Sequence, residues 1–150
     1  MLAYTLSARW MPEHREFLGT ATRVANWWLE HVPEDRVAFW DFADPAIPEV
    51  ERDTSATAIA AASLLKLGEL VQDDQLKSQY HDAAQETVRA LVEGYLTPTG
   101  PGDPRTPGIL TEGCYNKHID LATRNELIWG DYYLFEALQV LDGNIKATEV

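Results

Sequence analysis

The chain has 150 residues, 45% of them hydrophobic and 10% aromatic, a composition that suits one compact domain with a packed core and excludes general disorder. Twelve Lys and Arg stand against 24 Asp and Glu, and the resulting net charge of -12 repels phosphate backbones and anionic bilayers, which argues against nucleic-acid and membrane partners. A single cysteine, Cys114, rules out an internal disulfide framework, and no apolar run is long enough to span a bilayer.

The opening "MLAYTLSARWMPEHREF" lacks a basic leader and a small-residue cleavage pattern, so a cytoplasmic or otherwise untargeted chain is the default expectation. Leu2, Leu6 and Trp10 recur at helical spacing, which predicts a helix from Leu2 to about Trp10, stopped by Met11-Pro12. A second helix, from about Phe17 to His31, puts Leu18, Ala21, Val24, Ala25, Trp28 and Leu29 on one face and is closed by Pro33. The stretch "PEDRVAFWDFADPAIPEVER" then threads three prolines and several acids among aromatics, and no helix runs through it. The third helix opens at "RDTSA", with Asp53 or Thr54 as its cap, and its alanines permit close approach of a neighbour before Gly68 and "VQDDQ" end it. A fourth, from about Gln75 to Leu96, aligns Tyr80, Ala84, Val88, Leu91 and Tyr95. After the long Pro- and Gly-rich loop "TPTGPGDPRTPGILTEGCYNKHIDLATRN", a last helix from about Leu127 to Leu141 presents Ile128, Tyr132, Phe135 and Leu138. The tail after Gly143 is expected to fray.

This pattern predicts an all-α chain of about five helices without strands. Antiparallel succession puts the short turns near Pro12 and Asp73 at one end and both long loops at the other, where Trp40, Arg52, Tyr115 and Lys117 become candidate neighbours. An odd helix count and an uncapped first helix suggest part of a larger helical array; the alternative is a complete small bundle.

Three segments hold candidate chemistry. Trp40, with Phe39 and Phe42 around Asp41, offers aromatic faces and a carboxylate to a sugar, although the plainer alternative is a loop pinned by Trp40 with Asp41 capping a turn. Arg52, Ser55 and the first N–H groups of the third helix offer a place for an anion or a sugar hydroxyl, whereas Asp53 reads as a cap. Lys117 and His118 follow Tyr115, with Asp120, Glu126 and Asp131 nearby in sequence. A general acid and base pair needs carboxyls about 5 to 10 Å apart, which spacing across a loop does not establish. Asp131, together with Asn125 and Glu126, reads better as a brace for the start of the last helix, and Cys114 as buried packing. His14, His31, His81 and His118 are scattered, and no glycine-rich nucleotide loop occurs, so no metal or organic cofactor is expected.

"FWDF", "RDTSATAIAAASLLKL", "GCYNK" and "NELIWGDYYLFEAL", in this order, resemble the C-terminal part of the unsaturated glucuronyl hydrolases of glycoside hydrolase family 88. The likeness runs from the "YTLSARW" helix to the "GDYYLFEAL" helix. It implies an α/α toroid of six helical hairpins, with residues 1–150 as the C-terminal portion of a single α/α-barrel domain. Members of that family release a 4,5-unsaturated uronic acid from lyase-generated oligosaccharides. An aspartic acid protonates C4 and activates water toward C5, the hemiketal opens, and the remaining sugar leaves without metal or cofactor. The resemblance also implies that both essential aspartates belong to the earlier half of the barrel, so no catalytic residue is expected here.

What the resemblance carries over is a supporting site. Arg52 and Ser55 match the segment near the uronate carboxylate, and Tyr115 and Lys117 match the loop that borders the leaving sugar and tunes preference for sulfated or unsulfated material. Thr54 departs from the commoner "DSSA", and Asn116 and His118-Ile119 depart around Lys117. Three readings follow. A hydrolase polypeptide without its catalytic half should expose apolar surface on its first and last helices, with self-association possible there. A helical carbohydrate-binding or scaffold module without catalysis needs polar outer faces or an oligomer. A helical-barrel hydrolase with relocated acids needs two convergent carboxylates.

Overall fold

The computed structural model describes residues 1–100, 102 and 108–150; positions 101 and 103–107, within the long loop expected between the last two helices, lie outside the described residues. The chain forms α1 (Leu2–Trp10), α2 (Arg15–His31), α3 (Thr54–Leu70), α4 (Asp74–Gly94) and α5 (Ile128–Leu141), with a short 3-10 turn at Lys117–Ile119. No strand forms among the described residues, only isolated bridges, in line with the all-helical expectation.

Local chemistry accounts for the helix ends. Asp53 accepts the N–H groups of Ser55 and Ala56 at the start of α3, and Asp73 does the same for Gln75 and Leu76 at the start of α4. At the C-terminus of α2, Val32 turns to extended geometry ahead of Pro33, as a residue before proline must. No side chain caps α5, where Leu127 occupies the cap position. Glu126 accepts from the Thr97 hydroxyl at 3.1 Å.

The third helix is the hub. It packs against α1, α2, α4 and α5, and from Ala58 to Gly68 only Ile59 escapes full burial. Alanines at 58, 60, 61 and 62 let its neighbours approach closely, as does Gly130 of α5, where an added Cβ would lie 3.0 Å from Ser55 Cβ. Helices α1, α3 and α5 form one row, and α2 and α4 lie behind it, joined by Tyr80, which is wholly buried and donates to Asn26 Oδ1 at 2.8 Å. Burial also holds the Tyr80 hydroxyl above its ordinary pKa. Tyr80→Phe is expected to cost about 1 kcal/mol, measured by urea unfolding, because it removes this bond and leaves Asn26 to find another partner.

Two features bear on what surrounds the molecule. The tail does not fray as expected: Ala147 is buried, and the Val150 main-chain oxygen accepts from Arg9 at 2.9 Å and Lys66 at 2.7 Å. Polar anchoring there outweighs the terminal entropy. Apolar surface is exposed on the first and last helices, as the hydrolase reading required: Trp10 is 72% exposed on α1, and Ile128, Tyr132 and Phe135 form an exposed stripe on α5. No described helix is long and apolar enough to cross a membrane.

Candidate functional site

Both long loops lie at the N-terminal end of α3 and α5. In the first, the backbone doubles back so that Trp40 N–H reaches the Glu51 carbonyl at 3.0 Å and Asp53 N–H reaches that of Ala38 at 2.9 Å. In the second, Gly113 and Asn125 exchange two bonds of 3.0 Å, and Asn116 pairs with Leu121, giving a small hairpin tipped by the 3-10 turn. Gly113 is required by closeness: a Cβ would lie 2.8 Å from the Asn125 carbonyl oxygen. The loops are tied to each other through Thr54, whose N–H and hydroxyl reach the carbonyls of Glu112 and Thr111, and through Cys114 N–H, which reaches Asp53 Oδ1 at 3.3 Å.

Two adjoining groups of side chains result. In one, Lys117 Nζ lies 2.7 Å from Glu51 Oε1, and the His118 ring meets half-buried Trp40 edge-on with centroids 4.8 Å apart. Trp40 Nε1 donates to Asp44 Oδ2 at 2.9 Å. The Lys117 bond holds the Glu51 carboxyl below its ordinary pKa and raises that of Lys117, and the Trp40 bond lowers that of Asp44. In the second group, Ser55 is buried, donates to Asp53 Oδ1 at 2.6 Å and accepts from Trp129 Nε1 at 3.1 Å. Trp129 in turn lies 5.9 Å from the exposed Tyr115 ring.

Trp40 and Lys117 therefore come together, as do Ser55 and Tyr115, but Arg52 does not join them. Alternation along extended backbone sends neighbouring side chains to opposite faces, so Glu51 faces Lys117 and Arg52 faces away. Arg52 grips Asp35 through two bonds of 3.1 and 2.7 Å, donates to the Val37 carbonyl, and stacks 3.9 Å above the Phe39 ring. The expected free cation for a carboxylate is engaged by a partner that the sequence did not reveal, 17 residues away. Asp41 caps a turn by accepting from Ala43 N–H, and it is Phe42, edge-on to Trp27 and Trp28, that pins the loop to α2.

Several acids at this end are engaged too. Asp131 does not cap α5 but accepts the buried Leu110 N–H at 2.8 Å, holding the loop to the helix. Asp53 gathers Ser55, Ala56 and Cys114. Cys114 is buried, and burial raises its pKa, as suits packing rather than nucleophilic chemistry. Glu51 and Asp44 are held below the ordinary carboxyl range, the opposite of what a proton donor needs. Sequence reasoning passed over Glu51 and Trp129. The alternation from Arg52 pointed to the first, and the indole N–H of Trp129, which needs an acceptor, was the only sign of the second. No cluster of His, Cys, Asp or Glu that could hold a metal occurs among the described residues. A cavity of about 510 Å³ lies at the opposite end, between Leu65, Gly68, Lys77, His81 and Val140, away from these groups.

No family model matches the chain. It is 36% identical over 143 residues to the unsaturated glucuronyl hydrolase of Bacillus sp. (strain GL1), covering 95% of this chain and 37% of that protein. It is 36% identical over 118 residues to the unsaturated chondroitin disaccharide hydrolase of Streptococcus pneumoniae, covering 77% of this chain and 28% of that one. The crystal structure of the Bacillus sp. GL1 enzyme superposes with a TM-score of 0.86 at 35% identity, over 96% of this chain and 37% of that chain. An Asp-to-Asn variant of the Streptococcus agalactiae unsaturated glucuronyl hydrolase, complexed with dGlcA-GalNAc6S, superposes with a TM-score of 0.85 at 28% identity, over 98% of this chain and 38% of that chain. The chain thus spans between 28% and 38% of the length of these relatives, over their C-terminal part, and shares that part of the α/α barrel fold.

Proposed function

The chain is a relative of the unsaturated glucuronyl hydrolases, matching their C-terminal part, and on that premise we propose that it is the closing part of an α/α-barrel domain and supplies one wall of its substrate pocket. The substrate class is an oligosaccharide ending in an unsaturated uronic acid. Trp40 offers its ring to a sugar face, Lys117 and the Tyr115 hydroxyl donate to the leaving sugar, and Ser55 fixes Trp129 against Tyr115. Arg52 braces the wall from behind through Asp35. The observation that carries this reading is the clasp of the two long loops, which gathers aromatic rings and hydrogen-bonding groups from distant segments at one end.

Hydration of the double bond requires a carboxylic acid that protonates C4 and then activates water. Asp53, Asp131 and Glu51 are committed to a cap, a backbone N–H and an ion pair, so the chain binds and orients while the aspartates of the matching barrel's earlier half do the proton transfer. Pure chain given an unsaturated disaccharide is expected to leave the ultraviolet absorbance of the double bond unchanged. NMR signals of Trp40, Tyr115 and Lys117 are expected to shift on binding. Turnover that disappears when one of the chain's own acids is substituted would refute the non-catalytic assignment, and unmoved signals would refute the wall. A free-standing binding or scaffold module needs polar outer faces; Trp10 at 72% and Ile128 at 73% exposure favour coverage by further hairpins.

A further inference from the structure

Four cations at the long-loop end are held in ion pairs. Arg52 Nη2 lies 2.7 Å from Asp35, Arg36 Nη2 2.7 Å from Glu86, Lys117 Nζ 2.7 Å from Glu51, and Arg124 Nε 3.8 Å from Glu112. The Lys117 pair differs from the others in being at the proposed wall, one residue from the His118 ring that meets Trp40. Its carboxylate is also preset. Glu51 is fixed by its own carbonyl, which holds Trp40 N–H, and by its neighbour Arg52, which is anchored on the opposite face. On the other side, the 3-10 turn that presents Lys117 is capped by the Asn116 side chain, which accepts His118 N–H at 3.1 Å.

We propose that Glu51 is a specificity-determining residue: by holding Lys117 in an ion pair, it makes this wall accept an uncharged, hydroxyl-bearing sugar and turn away one that carries an oxyanion at that position. The proposal rests on the reading that this wall borders the substrate. An ammonium has three N–H donors, and with one directed at Glu51 the others remain for sugar hydroxyls, while the carboxylate accepts a hydroxyl proton alongside. An oxyanion approaching the same ammonium meets the Glu51 charge at close range, and such like-charge contact opposes binding. The depressed pKa of Glu51 and the raised pKa of Lys117 keep both partners charged at neutral pH.

The test uses inorganic sulfate and the whole chain, followed by amide shifts of residues 113–125 at pH 7 and constant ionic strength. The wild-type hairpin is expected to show no saturable shift. Glu51→Gln, which frees the ammonium while keeping the side chain's shape, is expected to bind sulfate at least about tenfold more tightly, and Glu51→Gln with Lys117→Met to lose that binding. Equal sulfate binding by wild type and Glu51→Gln overturns the proposal, as does no binding by Glu51→Gln with the hairpin intact by hydrogen exchange. Should that variant open the hairpin, the wild-type titration decides: the Lys117 ammonium must titrate above an ordinary lysine because of its bond to Glu51, and an ordinary value overturns the proposal. Because no saccharide is involved, failure here is separate from failure of the disaccharide experiment above.

Discussion

Replacing Glu136 with alanine is expected to lower the unfolding free energy by about 3 to 5 kcal/mol. Glu136 of α5 and Lys66 of α3 are 6% and 5% exposed, with Glu136 Oε1 2.9 Å from Lys66 Nζ. Lys66 has one further acceptor, the Val150 main-chain oxygen. Without Glu136 the buried ammonium keeps only the Val150 oxygen as a partner, and its desolvation is no longer offset by the Glu136 charge. Lys66→Met together with Glu136→Leu should recover most of the loss, because similar volume is kept and no charge needs to leave water. Urea unfolding with an unchanged slope is the measurement. A loss below about 1 kcal/mol in Glu136→Ala would show that water reaches the pair.

Asp53→Ala is expected to cost about 2 to 4 kcal/mol, the sum of a lost N-cap and of partners left without an acceptor. One oxygen, Oδ1, accepts from Ser55 N–H, Ala56 N–H, the Ser55 hydroxyl and Cys114 N–H. The damage should therefore reach beyond α3, with faster hydrogen exchange at Cys114 and Tyr115. Asp53→Asn keeps an acceptor and a good cap, and should stay within about 0.5 kcal/mol of wild type. A large loss in Asp53→Asn would mean that the charge matters, not the cap.

The helices were legible because their punctuation is local. Pro33, Asp53 and Asp73 mark ends by backbone chemistry that needs no distant partner. The start of α2 at Arg15 rather than near Phe17 was missed because its first two residues are polar and add nothing to an apolar period. The meeting of the long loops followed from alternating helix direction. Which side chains meet there did not follow, since Arg52 finds Asp35 and Lys117 finds Glu51 across 17 and 66 residues. The hairpin of residues 113–125 was hidden as well. Its left-handed positions fall on Asp120 and Ala122, not on the glycine or asparagine that advertises a turn. Likewise the docked tail depends on Arg9 and Lys66, which no inspection of the tail itself would name.

The hub position of α3 sets how unevenly this chain can drift in sequence. A helix that meets all four others and is buried along most of its length has little room in which a larger residue could settle, and a shift in it displaces every neighbour at once. The outward sides of α2 and α4 carry no such obligation. Divergence among homologous chains should therefore accumulate on those two helices, while α3 changes only in step with the residues packed against it.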